Sequence, residues 1–512
     1  MAIRSILSGM GEPPAGPEHP AEPGYFQDLN LDRIATAVAE AGKDPGLVSL
    51  FRLPSRDVRL IGFRHQVFRD LEKPAVREAA ERFTAAMSRI RRRSELVGRM
   101  KHPPQANRWF LDLVLEHAAA ATAFAEGLEE TEVASAGLRA LRDDMAGYVR
   151  EESFTRLRER ARGLRDRLEE TRYDLLMQGD RITVARHDPE ARFDYTERVL
   201  AVFERFRRDA GEEPPWEPPP DPGLDRVEAG VLDLVVELFP GVFDDLAAFR
   251  AGNERFLPAD VVRAEHELRF YLGYLAYLAP LREAGLPVCY PVVSATDKTL
   301  LARDVFDLAL AAERVRQGDP VVANDVELTG AERIIVVSGP NQGGKTTLSR
   351  AFGQLHHLAA LGCPVPGREA HVFLPDRIFT HYERAESPEW LTSKLEDELL
   401  RMRAILDQAT SESVIILNEV FTSTTMDDAR VLSEAVLASI SRLDALCLWV
   451  SFVDELSELD PKAVSMVGTV ADGGATRTYK VVRRPPDGHA YAFALVERHG
   501  LTRARLTERV RR

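Results

Sequence analysis

The chain has 512 residues and a formal net charge of −14, and 45% of its residues are hydrophobic, 29% charged and 7% aromatic. This composition is typical of a folded, helix-rich protein and excludes a disordered or collagen-like chain. At about 150 residues per domain, the length predicts two to four domains. The acidic balance restricts any contact with nucleic acid to a local basic surface.

The start of the chain and its cysteines indicate a cytoplasmic protein. Residues 1–24 carry Pro and Glu in place of a basic start followed by an apolar stretch, so no secretory signal is visible. The longest apolar runs, such as residues 334–337, fall far short of the ~20 residues that span a bilayer, so no membrane partner is expected. Cys289, Cys363 and Cys447 are widely separated, which excludes a clustered zinc site and suits a reducing compartment.

Residues 24–320 are predicted to form a mostly α-helical region. Apolar residues return every three or four positions over most of it, most clearly over residues 155–173. Residues 1–23 are rich in Pro, Gly and Glu and predict a flexible arm. A short insertion is expected near residues 180–222, where a hairpin or irregular segment precedes a proline-rich linker or surface loop. Helices are expected again over residues 227–239 and 259–281.

The pattern changes near Val321, where short β-branched runs begin to alternate with helical stretches. Candidate strands lie at residues 333–338, 413–418 and 446–451. Such alternation is typical of a parallel sheet flanked by helices. Residues 321–512 are therefore predicted to form a separate α/β domain.

A glycine-rich loop at residues 339–346 fits the pattern G-x-x-x-x-G-K-[ST] between a predicted strand and a predicted helix. In such a loop, backbone N–H groups surround a β-phosphate, Lys345 bridges the β- and γ-phosphates, and Thr346 ligates magnesium. The predicted cofactors are ATP and Mg²⁺, and the residues predicted to bind them are Gly339, Pro340, Asn341, Gln342, Gly343, Gly344, Lys345, Thr346 and Thr347. The alternative is a glycine-rich turn that contains Lys-Thr by coincidence.

Asn418 and Glu419 follow an apolar run at the place where a P-loop ATPase needs an acidic pair. The amide oxygen of Asn418 can support magnesium through a water molecule, but without a charge, a difference of about 1–3 kcal/mol. Glu419 can act as the catalytic base or orient the attacking water, with Lys345 as the second catalytic residue. We expect ATP hydrolysis that is slowed rather than abolished. The alternative is that Glu419 is only a carboxylate at the end of a strand.

Four ordered motifs resemble the ATPase domain of the MutS family of DNA mismatch-repair and recombination proteins. The loop at residues 339–347 is similar to that family's G-P-N-M-G-G-K-S-T. Residues 322–325 resemble the segment that enters the family's first strand, and residues 376–380 match its D-R-I-F-T stretch. Residues 418–425 stand where the family has D-E-x-G-R-G-T-S.

The resemblance implies a helical core whose lever helices reach toward DNA, carried on an ABC-type P-loop ATPase that dimerises with nucleotide in the interface. The implied partners are duplex or branched DNA, a second copy of the chain, and other repair or recombination proteins. A family aromatic that stacks on adenine falls at Val321, and the family's histidine switch falls at Phe452. The serine that a partner subunit would offer falls near Leu391, with Thr392 the nearest hydroxyl. Because roughly 320 residues precede the ATPase, we expect the chain to lack the family's amino-terminal mismatch-recognition domain.

A basic cluster is the candidate DNA contact. Its members are Arg89, Arg91, Arg92, Arg93, Arg99 and Lys101. Only Glu95 offsets their charge within the segment, so they can neutralise several phosphates. The alternative is a solvated helix face that pairs with acids elsewhere in the chain. A second arginine series over residues 156–167 is more typical of surface ion pairs, and Trp109 and Phe110 are more typical of a core than of base stacking.

Two hypotheses about function follow. The preferred one is a MutS-like DNA-binding ATPase of mismatch repair or recombination, in which ATP at a dimer interface works a clamp on DNA. The alternative is a nucleotide-dependent switch or protein-interaction module that hydrolyses little ATP and recognises no mismatch.

Overall fold

The structure, a computed structural model, describes residues 3–9, 22–179, 181–188, 223–383, 394–471 and 476–486. The helices are α1 (Tyr25–Asp28), α2 (Leu31–Ala41), α3 (Leu47–Leu50), α4 (Val58–Leu71), α5 (Pro74–Arg99), α6 (Pro103–Glu129), α7 (Ala136–Arg150), α8 (Glu152–Glu169), α9 (Arg226–Leu238), α10 (Pro240–Gly252), α11 (Ala259–Glu283), α12 (Leu308–Gln317), α13 (Lys345–Ala360), α14 (Lys394–Gln408) and α15 (Met426–Leu443). The strands are β1 (Tyr173–Gln178), β2 (Arg181–Arg186), β3 (Val288–Cys289), β4 (Val292–Ser294), β5 (Leu300–Val305), β6 (Asn324–Leu328), β7 (Ile334–Ser338), β8 (Val365–Pro366), β9 (Glu369–Phe373), β10 (Ile378–His381), β11 (Val414–Asn418), β12 (Leu446–Val450), β13 (Ala463–Ala471) and β14 (Thr476–Arg483).

The chain divides into two compact units, each assembled from segments that are distant in sequence. Unit one comprises Met1–Arg4, Pro74–Val133 and Arg139–Glu265, and unit two comprises Ser5–Lys73, Ala134–Leu138 and His266–Arg512.

Unit one is helical, and its long helices α5 and α6 have 26 and 27 residues. Apolar residues recur every three or four positions along both helices, so each buries one face. Phe83 of α5 stacks on Phe124 of α6, with ring centroids 4.4 Å apart. Phe110 of α6 packs against Phe249 of α10 and against Phe256. The predicted helical region is therefore held together here by aromatic contacts between helices.

Unit two is built on a six-stranded sheet in the order β10-β11-β12-β7-β13-β14. The first five strands are parallel, and β14 pairs antiparallel to β13. Every residue of β7, β11 and β12 is buried, as expected for continuous apolar strands with helices on both faces. Trp449 and Phe421 are among the largest side chains of the associated core. The three predicted strands are thereby confirmed, to within a residue at either end.

Helix α13 is buried on almost every side, so its polar side chains find their partners inside unit two. Gln354 donates a hydrogen bond from Nε2 to the carbonyl oxygen of Leu29 at 2.8 Å. His357 donates from Nε2 to the carbonyl oxygen of Phe51 at 2.9 Å. These bonds tie α13, which the sequence pattern predicts as a helix, to the segment that holds α1, α2 and α3.

A second, four-stranded sheet of unit two has the order β4-β9-β5-β6. Leu300 of β5 lies opposite Leu328 of β6 in an antiparallel pair. The predicted domain boundary at 320/321 falls between these two paired strands, so the compact units do not follow it. Sequence periodicity reports local structure, and it carries no signal for a pairing between segments this far apart.

The predicted flexible arm is wrong for residues 3–9, which are fixed by buried side chains. Ile3 and Ile6 are 2% and 1% exposed. The N–H of Ile3 donates a hydrogen bond to Asp260 in unit one, and the N–H of Ile6 donates to Glu267 in unit two. Residues 10–21 of the predicted arm lie outside the described residues.

Of the two alternatives for the start of the predicted insertion, the structure has the hairpin, which begins at Tyr173 rather than near residue 180. β1 and β2 pair antiparallel, from Tyr173 opposite Arg186 to Gln178 opposite Arg181. Helix α8 ends at Glu169, and Tyr173, the last residue of the predicted helix, is the first residue of β1. Residues 189–222, which include the proline-rich stretch 212–222 of the predicted insertion, lie outside the described residues. No helix of the described ranges is long and apolar enough to cross a bilayer.

Candidate functional site

A tight glycine loop joins the end of β7 to the start of α13. Gly339 has a φ of +121°, and a Cβ atom there would lie 2.8 Å from the backbone nitrogen of Gly468. A Cβ atom at Gly343 would lie 2.8 Å from the carbonyl oxygen of Pro340. Gly344 has a φ of +91° and is the N-cap of α13. Each of these positions needs glycine because a side chain would displace the loop backbone.

Lys345, the first residue of α13, turns its side chain back over this loop. Its Nζ atom donates hydrogen bonds to the carbonyl oxygen of Gly339 at 2.9 Å and to Oδ1 of Asn341 at 3.3 Å. The same atom lies 3.5 Å from Oε1 of Glu419. The lysine side chain is 5% exposed and the glutamate side chain 34% exposed, so a shielded cation faces a half-buried anion at the mouth of the loop.

Asn418 and Glu419 stand at the carboxyl end of β11. Asn418 is 8% exposed, and its buried Oδ1 atom has no hydrogen-bond partner within the described part of the chain. Glu419 has a φ of +52°, and its N–H donates to the carbonyl oxygen of Val450 at 2.9 Å. Since β11, β12 and β7 are parallel and adjacent, their carboxyl ends bring this pair beside the glycine loop.

A cleft of about 320 Å³ opens from the glycine loop and Glu419. Thr346 and Thr347 line its polar end. Its other walls carry mostly apolar or aromatic side chains, which are Phe306, Leu310, Pro320, Val321, Val322 and Tyr479, together with Asp307, Arg314 and Asn324. The cleft therefore joins a polar, positively charged end to an apolar end, a combination typical of small-molecule sites.

The sequence pattern missed the aromatic walls of the cleft, Phe306 and Tyr479. Tyr479 has a φ of +59° and is 49% exposed. Asn324 donates from Nδ2 to the carbonyl oxygen of Tyr479 and accepts from the N–H of Val481 at 2.7 Å. A left-handed tyrosine is uncommon, and here the Asn324 side chain holds it at the rim. The available signal was Asn324 itself, which lies in the segment that resembles the entry to the first strand.

Helix α12, which carries Leu310 of the cleft wall, is fixed by a buried polar contact to α13. Asp307 caps α12 by accepting from the N–H groups of Ala309 and Leu310. Gln354 donates from Nε2 to Oδ1 of Asp307 at 2.8 Å and accepts from the N–H of Leu308 at 2.8 Å. Burial raises the pKa of the Asp307 carboxyl above its usual range. The helix after the glycine loop thus also sets the position of the cleft wall.

The other residues singled out by the resemblance lie at different places in unit two. Asp376 accepts hydrogen bonds from the hydroxyl groups of Thr410 and Ser413, so the segment that matches D-R-I-F-T fixes the entry to β11. Phe452 is half-buried and packs against the apolar core. Val321 lines the cleft without an aromatic ring. Residues 391 and 392 are outside the described part of the chain.

The predicted DNA-contact cluster on α5 and the turn after it is partly neutralised within unit one. Arg89 and Arg93 pair with Glu116, and Arg91 pairs with Glu265. The remaining cations, Arg92, Arg99 and Lys101, are exposed and form no ion pair with another described residue. Three of the six predicted contacts are therefore engaged in the fold.

The neighbouring aromatic pair and the second arginine series have structural contacts in unit one. Phe110 is 6% exposed, and the guanidinium of Arg93 lies 5.4 Å from the ring centroid of Trp109. Arginines of α8 pair with acids of the same unit, in the pairs Arg156–Glu152, Arg165–Glu169 and Arg167–Asp245. These observations favour the structural alternative for both features.

The sheet and the loop together define a class of protein, an α/β domain in which a glycine loop joins a central parallel strand to a buried helix. Residues 335–482 of this domain match the family model of MutS domain V. Over these residues the match confirms the resemblance to MutS proteins drawn from the four motifs.

Several curated proteins described as DNA mismatch repair protein MutS are similar to part of this chain. A DNA mismatch repair protein MutS of Chlorobium phaeovibrioides is 31% identical over 196 residues, which cover 37% of this chain and 22% of the relative. The MutS proteins of Zymomonas mobilis and Caldicellulosiruptor bescii are 31% and 34% identical, over 33% and 28% of this chain and 21% and 17% of the relatives. The chain thus spans about a fifth of the length of the curated relatives it matches.

Proposed function

We propose that unit two binds ATP with magnesium and hydrolyses it slowly, as the ATPase part of a MutS-like protein that acts on DNA. The observation that carries this proposal is the convergence of the glycine loop, Lys345 and Glu419 at one end of the cleft, with the Lys345 Nζ atom 3.5 Å from the Glu419 carboxylate.

The polar end of the cleft suits a triphosphate. Close backbone approach at Gly339 and Gly343 leaves no side chain between the loop and an anion, and the positive end of α13 starts at Gly344. Lys345 donates hydrogen bonds to Gly339 and Asn341, and phosphate oxygens can take the place of these two acceptors. At the other end, Phe306 and Tyr479 offer aromatic surface for a base where Val321 does not.

The donor set near the loop also suits magnesium. Thr346, whose hydroxyl can ligate magnesium, lines the cleft, and the Oδ1 atom of Asn418 is a buried acceptor without a partner in the described part of the chain, which a metal-bound water can satisfy. When bound with ATP, the ion would neutralise phosphate charge. Glu419 would accept a proton from the attacking water or orient it, while Lys345 stabilises charge on the phosphate oxygens.

The ATP proposal is tested by calorimetry and by phosphate release. Lys345→Ala should abolish ATP binding at millimolar magnesium, whereas Arg403→Ala, an exposed cation of α14, should not change it. Glu419→Ala should keep ATP bound and lower the hydrolysis rate about 10²-fold or more, as expected for loss of a general base. A wild-type protein that ignores ATP and ADP under these conditions would refute the proposal.

The DNA part of the proposal rests on the relatives, which are named DNA mismatch repair proteins, and on the three members of the basic cluster that form no ion pair with another described residue. Arg92, Arg99 and Lys101 would contact backbone phosphates, and two copies of the chain would share the nucleotide sites. Anisotropy with a labelled duplex or junction should show affinity at low salt. Replacing the three cations by alanine should reduce the slope of log K against log salt by about 3, whereas Arg156→Ala should leave it unchanged. No affinity at low salt, with or without ATP, would refute the DNA part.

The buried amide of Asn418 favours one second candidate, a nucleotide-dependent switch. Because Asn418 carries no charge, the site would hold ATP with almost no turnover and act by its occupancy. In that case Glu419→Ala would change the already negligible hydrolysis rate very little.

A further inference from the structure

The turn that carries Glu419 has an unusual backbone. Glu419 and Phe421 both have left-handed φ values, +52° and +62°, and neither is glycine. The MutS motif D-E-x-G-R-G-T-S has its first glycine where this chain has Phe421. A bulky residue at positive φ is disfavoured by contact between its Cβ atom and the backbone, so neighbouring groups must hold this turn in place.

Helix α14 supplies the groups that hold the turn. Oε2 of Glu398 accepts a hydrogen bond from the N–H of Phe421 at 2.9 Å and from the hydroxyl of Ser423 at 3.4 Å. The ring of Phe421 is fully buried in the same apolar cluster as Met402 and Ile405 of α14. One face of α14 therefore fixes both the backbone and the ring of Phe421.

Glu398 is itself unusually placed for a carboxylate. It is 5% exposed, and it forms no ion pair with another described residue. Burial raises the pKa of its carboxyl group, and Lys394 partly opposes that effect. Charged and titratable neighbours share a small cavity with Glu398 and Glu419, and they are His381, Glu383, Lys394, Asp397 and Arg401. Burying a carboxylate that forms no ion pair is costly, and the hydrogen bonds from Phe421 and Ser423 offset part of that cost.

We infer that Glu398 is a positioning residue, which fixes the peptide of Phe421 and thereby directs the Glu419 carboxylate toward Lys345 and the glycine loop. The inference rests on the proposed ATPase function of Glu419. It goes beyond that function because Glu398 does not line the large cleft and would act on Glu419 only through the turn.

The test compares Glu398→Ala with Glu398→Gln in the full chain. Alanine removes the acceptor for the Phe421 N–H, whereas glutamine keeps a carbonyl oxygen that can accept it. Glu398→Ala should lower kcat for ATP about tenfold to hundredfold, with the Kd for ATP and magnesium changed less than about twofold. Glu398→Gln should retain kcat within about threefold of the wild type. Asp407→Asn, the same charge change on the exposed end of α14, should change neither value.

A double-mutant cycle separates positioning from a general loss of structure. In the Glu419→Ala background, Glu398→Ala should lower kcat less than about twofold further, because both changes act through the same carboxylate. Equal effects in both backgrounds would overturn the inference, and so would a raised Kd for ATP with kcat unchanged.

Hydrogen exchange distinguishes failure of this inference from failure of the proposed function. Exchange in the peptide that spans residues 419–423 should accelerate in Glu398→Ala and stay close to wild type in Glu398→Gln. Unchanged exchange in Glu398→Ala overturns the inference alone. If the wild-type protein does not hydrolyse ATP but exchange is faster in Glu398→Ala, the contact with Phe421 stands. The proposed function is then refuted, and the role of Glu398 in positioning Glu419 for catalysis is refuted with it.

Discussion

Two adjacent histidines of α13 make the helix after the glycine loop sensitive to acid. His356 donates from Nδ1 to the carbonyl oxygen of Phe373 at 2.9 Å, and His357 donates from Nε2 to that of Phe51 at 2.9 Å. Nδ1 of His357 then accepts from the hydroxyl of Tyr25 at 3.2 Å. Both rings are fully buried, and burial lowers the pKa of each histidine from 6.5 to about 4.

The sign and size of the effect follow from these pKa values. The folded state binds the proton more weakly than the unfolded state, so both neutral rings favour folding above pH 6.5. This advantage is lost as the pH falls from 6.5 toward 4, because the unfolded chain takes up protons first. At pH 5 the loss is about 2 kcal/mol of unfolding free energy for each histidine.

Urea unfolding of unit two at pH 7 and pH 5 measures this loss. The difference between the two unfolding free energies should be about 2 kcal/mol smaller in His357→Gln than in the wild type. Subtracting the two pH values cancels the constant cost of the lost contacts. Leu358→Ala, a buried change in the same helix without a titrating group, should leave the pH difference at its wild-type value. A wild-type pH difference in His357→Gln would refute the assignment of a buried neutral ring.

Two further predictions concern the candidate site. Asn418→Asp should raise the ATP hydrolysis rate about tenfold because it restores a charge beside magnesium. It should also lower the melting temperature of the apo-protein because the new carboxylate is buried. No rise in phosphate release would mean that another group limits turnover. Gly343→Ala should weaken ATP binding more than tenfold in calorimetry because its Cβ atom would lie 2.8 Å from the oxygen of Pro340. Gly98→Ala, whose Cβ atom meets nothing within 4 Å, should bind ATP normally. Equal affinity in both variants would contradict the described geometry of the glycine loop.

The parts of the site that the sequence predicted are local in the chain. The glycine loop, the strand before it and the helix after it are contiguous, so spacing alone predicts Lys345 in a loop that leads into a helix, and the structure makes it the first residue of α13. Asn418 and Glu419 could be assigned to the same edge because parallel strands share their carboxyl ends. The residue types around Glu419 do not predict its positive φ, because no glycine or asparagine stands at that position.

The remaining parts of the site come from distant segments. Phe306 and Tyr479 reach one cleft only through long-range strand pairing, which a periodicity cannot show. Glu398 lies on an amphipathic helix rich in charged residues, so its sequence pattern predicts a solvent-exposed acid. The contact that distinguishes it is with Phe421, 23 positions away in the chain. The buried residues Ile3 and Ile6 were likewise hidden in a segment whose Pro and Glu content dominates its composition.

The contacts between the first helices and α13 have a consequence for biosynthesis. Arg350 donates from Nε to the carbonyl oxygen of Asp28, and Gln354 reaches Leu29 across a separation of 325 residues. At roughly 5–20 residues per second, a nascent chain carries α1 and α2 outside the ribosome for about 15 s to a minute before their partner helix is made. During that interval Leu31 and Ile34, both fully covered in the finished protein, face water. The final packing of this amino-terminal stretch therefore waits until α13 has been synthesised.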